Sequence, residues 1–266
     1  MKYALLGGWG YVGANLAELL DSCVITRKSS KERRPFLAPI FEDKEVIEIN
    51  EVTEEELRKA LEECGADVLV YLIGKIKGSY EEMKEAHVDK ALLAYEVSEE
   101  LGMRFVYTSS VAAMGFADKC KTGGFVMEED ELLEGCEPFG DVSVTKAEGE
   151  LRLWERSRGN VGIVRPALFW GRYAYHPEWK LLKLFKKLRI PVPEISVTSA
   201  QCMAIAVETA AERRGWYIAS DKTLSDLGLK TVEVKLPKDL IKKAPRSLHL
   251  PLLVMRYKYS SRYLPC

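Results

Sequence analysis

Few side-chain amides, few histidines and no paired cysteine motif distinguish this sequence of 266 residues. It has one Gln and three Asn residues, and this scarcity beside 30% charged residues is typical of a thermophile. Six cysteines and three histidines are present, but they show neither a CxxC pair nor zinc-ligand spacing, so we expect no metal site. We expect most cysteines to be unpaired packing residues. A disulfide between Cys120 and Cys136, which flank a loop-like segment, remains an alternative.

Long apolar runs and an excess of one charge are also missing. The formal net charge of −1 provides no global field that would attract nucleic acid. No N-terminal signal sequence and no stretch long enough to span a bilayer is found. We therefore expect a cytoplasmic protein that does not bind nucleic acid. The 47% hydrophobic content supplies a sizeable core for one large domain, alone or with a small appendage.

What the sequence does contain is a glycine-rich turn at residues 6–13 (LGGWGYVG). A short apolar run before it indicates a strand, and Leu16, Leu19 and Leu20 follow at helical spacing. Glycines in this position allow a tight turn and bring backbone close to a pyrophosphate, which the helix start attracts. The pattern predicts a dinucleotide site, with an ordinary glycine-rich turn as the alternative. The residues assigned to the site are Gly7, Gly8, Trp9, Gly10, Tyr11, Val12 and Gly13.

Strands and helices alternate along the chain, which predicts an α/β fold with a Rossmann-type, doubly wound parallel sheet. The further predicted strands lie at residues 22–26, 45–49, 66–73, 104–108, 161–164 and 215–219. The predicted helices lie at residues 54–63, 81–101, 145–158, 178–188 and 197–211. Thr53 and Glu56 predict a capping box. We assign residues 1–171 to a dinucleotide-binding domain and 172–266 to a small C-terminal substrate lobe and basic tail, partly returning to the sheet.

Two basic segments have alternative interpretations. The helix at 178–188 carries an apolar stripe and lysines, which suit either a phosphate-bearing substrate or a solvated helix face. Residues 237–266 carry seven Lys or Arg residues and one Asp. This tail suits a membrane surface or an anionic partner, but a solvated tail whose residues 248–255 pack on the core is the favoured interpretation.

The end of the second predicted strand bears on the choice of cofactor. An acidic residue there would bind the ribose hydroxyls and favour NAD. This chain instead has Arg27, Lys28 and Ser29, about 20 residues after the first glycine, where the ribose-binding residue is expected. Guanidinium and ammonium groups suit a 2′-phosphate, so NADP is favoured over NAD. A solvated basic loop is the alternative.

Four further stretches occur in order after the glycine turn. They are residues 51–54 (EVTE), residues 71–74 (YLIG), residues 107–115 (YTSSVAAMG) and residues 165–171 (RPALFWG). Together with the glycine turn, they resemble the extended short-chain dehydrogenase/reductase family, in its epimerase/dehydratase branch, over about residues 1–220. The resemblance implies that Glu51 lies near the adenine. It also implies that the cofactor is contacted by Ile73, Gly74, Thr108, Lys146, Arg165 and Pro166.

Catalysis in the family that this chain resembles uses a Tyr-x-x-x-Lys pair on one helix face. The lysine lowers the tyrosine pKa, and the phenol exchanges a proton with the substrate. Lys146 matches the lysine and Ser110 matches the hydroxyl partner, but Val142 stands at the tyrosine position. The candidates for a substitute proton donor are Tyr173, Tyr175, His176 and Asp141.

Two functions agree with these residues. One is an NADP-dependent oxidoreductase or nucleotide-sugar epimerase-like enzyme acting on a small molecule that can carry a phosphate. The other is a non-catalytic NAD(P)-binding sensor or a structural subunit of a larger complex. Ser110 and Lys146 favour the enzyme, whereas Val142 and the basic tail favour the binder. An oligomer is compatible with both.

Overall fold

The computed structural model describes residues 1–121, 126–129 and 132–266. Its strands are β1 (Tyr3–Leu6), β2 (Ser22–Arg27), β3 (Val46–Ile49), β4 (Val68–Tyr71), β5 (Arg104–Thr108), β6 (Val126–Met127), β7 (Gly162–Pro166), β8 (Leu168–Trp170), β9 (Val192–Pro193), β10 (Ser196–Ser199), β11 (Gly215–Ala219), β12 (Lys222–Thr223), β13 (Thr231–Val232) and β14 (Lys258–Tyr259). Its α-helices are α1 (Tyr11–Leu19), α2 (Lys28–Arg33), α3 (Glu54–Cys64), α4 (Tyr80–Lys84), α5 (Lys90–Glu100), α6 (Asp141–Ser157), α7 (Pro177–Leu188), α8 (Ala200–Arg213), α9 (Lys238–Lys243) and α10 (Arg246–Arg256). Short 3₁₀ helices span Pro35–Phe41 and Val111–Met114, and a π-helical turn spans Glu85–Asp89.

Seven strands form one parallel sheet in the order β11-β7-β5-β4-β1-β2-β3. Strand β1 lies between β2 and β4, with Leu6 opposite both Ile25 and Tyr71. The direction of winding reverses between β1 and β4. In such sheets ligands bind outside the carboxyl ends of the strands at this switch point. The sheet confirms the Rossmann-type fold that the alternating pattern predicts.

Helices cover both faces of the sheet, which is why its strands are rich in apolar residues. All four residues of β1 and of β4 are buried. One face packs on α1 and α8, through residues such as Leu16 and Val207. The other packs on α3, α5 and α6, through residues such as Leu57 and Leu153. The central strands are therefore fixed from both sides, and their carboxyl ends form a rigid edge.

The chain after residue 171 contributes to the main sheet as well as to a smaller unit. Strand β11 pairs with β7, with Gly215 opposite Gly162. A second sheet has the order β12-β10-β8. The predicted helix at 197–211 is wrong at its start, because residues 196–199 form β10 and the helix begins only at Ala200. The Ser199 hydroxyl caps it by accepting the Cys202 N–H.

Three predicted helix features need correction. Helix α6 begins at Asp141, four residues before the predicted start. The predicted helix at 81–101 is interrupted by the π-helical turn. The capping box at Thr53 is half formed, because the Glu56 carboxylate accepts the Asn50 N–H at 2.6 Å instead of the Thr53 N–H.

All six cysteines are paired, so the expectation of unpaired cysteines is wrong. The pairs are Cys23–Cys64, Cys120–Cys136 and Cys202–Cys266. Their Cα atoms lie 6.1, 4.3 and 5.2 Å apart, although the partners are 41, 16 and 64 residues apart in sequence. Folding alone brings the distant partners together, which is why spacing patterns did not reveal them.

The basic tail packs on the rest of the molecule, as its favoured interpretation holds. Leu253, Tyr257 and Tyr259 are buried. The Tyr257 hydroxyl accepts the Ala117 N–H at 3.0 Å, and β14 pairs with β6. In the described ranges of the chain, helices that combine the length and the apolar character needed to cross a membrane are absent.

Candidate cofactor and catalytic site

The glycine turn joins β1 to α1 at the switch point of the sheet. Gly7 has a φ of +85°, a conformation that favours glycine. A Cβ atom on Gly13 would collide with the backbone of Gly8, so α1 can lie this close to the turn only without a side chain there. Gly10 is the N-cap of α1, and no side chain caps the helix or places an acid in its first turn. The free N–H groups of this helix start are thus available to a phosphate.

The aromatic side chains of the turn are engaged in packing. Trp9 is buried, its Nε1 donates to Arg34 O at 3.1 Å, and its ring stacks on Phe41. The Tyr11 hydroxyl accepts the Gly171 N–H at 2.9 Å. Val12 packs against the same core cluster. What Trp9, Tyr11 and Val12 can offer to a cofactor is therefore mainly backbone.

At the end of β2, the structure brings together two residues that the sequence nominated separately. Arg27 Nη1 lies 3.7 Å from Glu51 Oε2, and Lys90 Nζ lies 3.9 Å from the same oxygen. Both Arg27 and Glu51 remain partly exposed, and Lys28 and Ser29 are exposed at the start of α2. This edge of the sheet thus presents cations with one competing carboxylate.

The loop after β4 closes the other side of the glycine turn. A Cβ atom on Gly7 would lie 3.1 Å from Ile73 Cγ1, which shows how closely the two loops approach. Gly74 is exposed, and a Cβ atom there would lie 3.9 Å from Lys146 Nζ. Glycine at position 74 therefore leaves the approach to Lys146 open.

Lys146 on α6 lies at the carboxyl end of β5 and is only 6% exposed. Its Nζ donates to Thr108 O at 2.7 Å and lies 4.7 Å from the centroid of the Tyr107 ring. Burial, partly offset by the Glu150 carboxylate, lowers the pKa of Lys146 to about 7. This amine can therefore gain or lose a proton near neutral pH, which matches the requirement for an acid–base group.

His87 is a polar group of this site that the sequence did not reveal. It lies in the π-helical turn and is fully buried. Its Nε2 accepts the Lys75 N–H at 3.1 Å, and its Nδ1 lies 2.8 Å from Thr145 Oγ1. Because the Thr145 hydroxyl donates to Asp141 O, we assign the imidazole proton to Nδ1. Burial and the nearby Lys146 charge lower the pKa of His87 to about 2, so the ring is neutral.

Two buried tyrosines support the π-helical turn. The Tyr71 hydroxyl donates to Ala86 O at 2.6 Å, and the Tyr107 hydroxyl donates to His87 O at 2.9 Å. Such turns disturb the regular carbonyl pairing of a helix, and these hydroxyls supply partners. A Cβ atom on Gly149 of α6 would collide with His87 O. The glycine thus lets α6 approach the turn and brings His87 beside Thr145 and Lys146.

The hydroxyl groups near Lys146 are arranged unequally. Ser110 Oγ accepts the Ala112 N–H at 3.1 Å and caps the 3₁₀ helix that follows. Thr108 Oγ1 and Ser109 Oγ are buried without a hydrogen-bond partner among the residues that the structure describes. Since buried hydroxyls normally find a partner, these two groups fit a site that a ligand completes.

Val142 occupies the first turn of α6 and is 8% exposed. It lies four positions before Lys146, so both lie on one face of the helix. Neither of the first two turns of α6 carries a phenol. Helix α6 therefore keeps the amine of the predicted catalytic set and carries an apolar group one turn before it.

Three of the four proposed substitute donors lie outside α6. The Tyr173 hydroxyl donates to Glu18 on α1. Tyr175 stacks on His176 and packs against Tyr11, with ring centroids 4.4 and 5.8 Å apart. Asp141 precedes Val142, and its carbonyl oxygen accepts the Thr145 hydroxyl. Tyr173 is thus engaged at α1, and Tyr175 and His176 lie beside the glycine turn.

Arg165, which the sequence assigns to the cofactor, is instead enclosed in the core. Its guanidinium binds Glu150 at 3.0 and 2.6 Å, and neither side chain is exposed. The neighbouring Pro166 is buried in β7. This ion pair joins β7 to α6, so the Arg165 side chain positions the helix that carries Lys146.

The fold and the site define a Rossmann-type dinucleotide-binding protein. Residues 3–189 match the NAD dependent epimerase/dehydratase family, and the chain belongs to that family. No curated protein sequence matches the chain.

Solved structures show the same fold at low sequence identity. The protein gox2253 is 17% identical, with a TM-score of 0.68 and coverage of 96% of this chain and 89% of that one. UDP-glucose 4-epimerase from Thermotoga maritima, solved with UDP-glucose, is 13% identical, with a TM-score of 0.65 and coverage of 96% and 98%. The dTDP-4-dehydrorhamnose reductase from Bacillus anthracis str. Ames, solved with NADP, is 15% identical, with a TM-score of 0.62 and coverage of 88% and 84%.

Proposed function

We propose that this chain is an NADP(H)-dependent oxidoreductase or epimerase-like enzyme in which Lys146 takes over proton exchange from the missing tyrosine. The substrate is a small carbonyl compound or alcohol that can carry a phosphate, such as a nucleotide-linked sugar. The observation that carries the proposal is the burial of the Lys146 amine at the carboxyl end of β5, next to exposed Gly74.

Cofactor binding is supported by the fit of two groups of residues. Gly7, Gly10 and Gly13 bring backbone and a free helix start to the position that a pyrophosphate needs. Arg27 and Lys28 supply cations for a 2′-phosphate, while Glu51 draws on the same guanidinium. Displacement of Glu51 by a phosphate would leave Arg27 with a stronger, multiply bonded anionic partner. NADP is therefore the proposed cofactor, and NAD the weaker ligand.

The nicotinamide, when bound, supplies or accepts the hydride. In this proposal Ser110 donates a hydrogen bond to the substrate oxygen. Lys146 Nζ in its cationic form gives a proton to that oxygen during reduction and takes one back during oxidation. Val142 presents an apolar surface, which limits water beside the reacting oxygen. Neutral His87 adds no second positive charge next to Lys146.

The test replaces Lys146 with Met and measures NADPH oxidation against a panel of carbonyl compounds, with NADPH affinity measured separately by calorimetry. Acid–base groups typically contribute about 10²–10⁴-fold, so turnover should fall by that factor. Because the acid form of an amine with a pKa near 7 is lost above that pH, carbonyl reduction in the natural protein should decline as pH rises through about 7. Turnover by Lys146→Met at the natural rate would disprove the role of Lys146.

A second candidate is a non-catalytic NAD(P)-binding sensor or structural subunit. Val142 favours it, because valine cannot exchange a proton, and no phenol replaces it on the first turns of α6. This alternative predicts tight NADPH binding with no turnover at any pH. A panel that includes phosphate-bearing substrates separates the two candidates.

The setting proposed for this protein is the cytoplasm of a thermophile. Scarce amides and 30% charged residues support it, as do three disulfides, which intracellular proteins of hyperthermophiles tolerate. A hyperstable protein unfolds above about 90 °C. Calorimetry with and without a thiol reductant tests this, since a midpoint near 60 °C under both conditions would contradict the proposal.

A further inference from the structure

Helix α7 has two apolar faces, although a surface helix needs only one. Trp179 is buried, and Leu182 and Phe185 pack against the same core cluster. On the other side, Leu181, Leu184 and Leu188 are 50%, 48% and 57% exposed. Their spacing of three and four residues places them in one stripe along the helix. Packing against the core explains the first face but not the second.

The apolar surface continues past the end of the helix. Ile190 is 39% exposed and follows Arg189, whose left-handed conformation ends α7. We call the set Leu181, Leu184, Leu188 and Ile190 the α7 patch. Isolated surface leucines are ordinary, but four large exposed apolar side chains within ten residues are typical of a binding surface.

Cations lie beside the α7 patch. Residues 177–190 contain five cationic residues and a single acidic one, Glu178. Helical geometry places three of them on one flank of the leucine stripe. These three are Lys180, Lys183 and Lys187.

These lysines differ from the arginines of α3 and α6. On α3 and α6, Arg58, Arg152 and Arg156 each form an ion pair with a glutamate. Within the described ranges, Lys180 and Lys183 take no part in an ion pair, and the same is true of Lys187. Their charge is therefore available to an anion outside the molecule.

We propose that α7 seats this protein on an anionic lipid surface. The leucines enter the boundary between headgroups and acyl chains, and the lysines bind the lipid phosphates, as in helices that lie in the membrane plane. A second copy of the chain is a poorer occupant, because a two-fold contact through this face sets like charges against each other. Charge complementarity thus selects the lipid.

The test uses the full chain in sedimentation with vesicles. One set contains equal parts of phosphatidylglycerol and phosphatidylcholine, and the other contains phosphatidylcholine alone. We expect binding to the first set only, and weaker binding as salt is added. Replacing Lys180, Lys183 and Lys187 with Gln should lower partitioning by roughly fivefold for each lysine, or about 100-fold together.

A second variant tests the apolar part, and a third serves as the control. Leu181, Leu184 and Leu188 changed to Ser should also release the protein from the anionic vesicles. Leu151→Ser on α6 removes a leucine that is 44% exposed but lies among paired charges, and it should bind as the natural chain does. All the changed side chains are exposed, so we expect every variant to fold. Thermal unfolding of each variant checks this.

Three outcomes would overturn the proposal. The first is no sedimentation with anionic vesicles, and the second is equal sedimentation with both vesicle sets. The third is a dimer, seen by light scattering, that the serine variant dissociates while vesicles bind neither protein. That last result would show that the α7 patch covers a second copy of the chain.

Discussion

The glycine turn and the first turn of α6 lie at the same edge of the sheet. The turn has all the residues expected of the family, whereas the helix lacks one of them. At the turn, Gly7, Gly10 and Gly13 are all present, and the geometry gives each glycine a steric reason. On α6, Lys146 remains while Val142 replaces the expected phenol. Phosphate binding depends on backbone shape, whereas proton exchange depends on one functional group. A single substitution can therefore remove the second capacity and leave the first intact.

The surroundings of Lys146 nevertheless contain several specific contacts between buried polar groups. The Tyr107 ring lies beside the Lys146 amine, and His87 contacts Thr145 on the same helix as Lys146. The buried Arg165–Glu150 pair joins that helix to β7. Buried polar groups of this kind are costly unless every partner is present. Such an arrangement is more than the binding of a dinucleotide phosphate requires, which is why we place the acid–base function at Lys146.

The largest expected effect is the loss of cofactor binding at the glycine turn. Gly10→Val adds a branched side chain at the N-cap of α1, where even a Cβ atom would lie 3.2 Å from Gly7 O. The backbone should move away from the phosphates, and NADPH binding should be abolished in calorimetry. Circular dichroism should show that the variant is folded. Natural affinity in a folded variant would remove the glycine turn from the cofactor site.

The next effect is a gain of turnover when the missing phenol is restored on α6. Val142→Tyr restores a phenol one helical turn from Lys146, and NADPH oxidation with a carbonyl panel should rise by up to about 10²–10⁴-fold. Val144→Tyr is the matched control, because residue 144 faces away from the side of α6 that bears Lys146. If both variants gain equally, or if the natural protein is already as fast as Val142→Tyr, the vacant position does not limit turnover.

A smaller effect concerns the adenosine end. Charge-assisted contacts contribute roughly 1.5–3 kcal/mol, so replacing Arg27 and Lys28 with Ala should weaken NADP binding by about 10- to 150-fold and leave NAD binding nearly unchanged. Glu51→Gln should strengthen NADP binding, because it frees Arg27. Lys59→Ala on α3 serves as a surface control. Equal affinities of the natural chain for NADP and NAD would refute the assignment.

Sequence reasoning succeeded where local pattern determines structure. Gly13 is required because α1 touches Gly8, and β1 is apolar because both faces of the sheet are covered. It could not detect His87, because the π-helical turn that aims this side chain depends on two tyrosine hydroxyls and Gly149, all distant in sequence. The buried pairing of Arg165 was not predicted for the same reason, since its partner Glu150 lies on another element.

The last prediction concerns His87. It tests whether this buried ring stays neutral and whether water is excluded from the surroundings of Lys146. The pKa of His87 is lowered from 6.5 to about 2 in the folded protein. Below pH 6.5, the unfolded chain binds a proton at this residue that the folded chain does not bind. Folding stability should therefore fall as pH decreases, by up to about 1.4 kcal/mol per pH unit from this residue. Lys146 adds little in this window, because below about pH 6 it is protonated in both states.

The measurement is urea unfolding of the natural chain and of His87→Gln between pH 6.5 and 4. Carboxylates titrate in both proteins, so the difference between their slopes isolates the histidine. Glutamine can still accept the Lys75 N–H, so the variant should fold, although with lower stability than the natural chain near pH 7. Because glutamine binds no proton in this pH range, the variant should lose less stability on acidification. Parallel curves would show that His87 protonates freely in the folded state. The surroundings of Lys146 would then be open to water, and the low pKa of its amine, which rests on burial, would lose its physical cause.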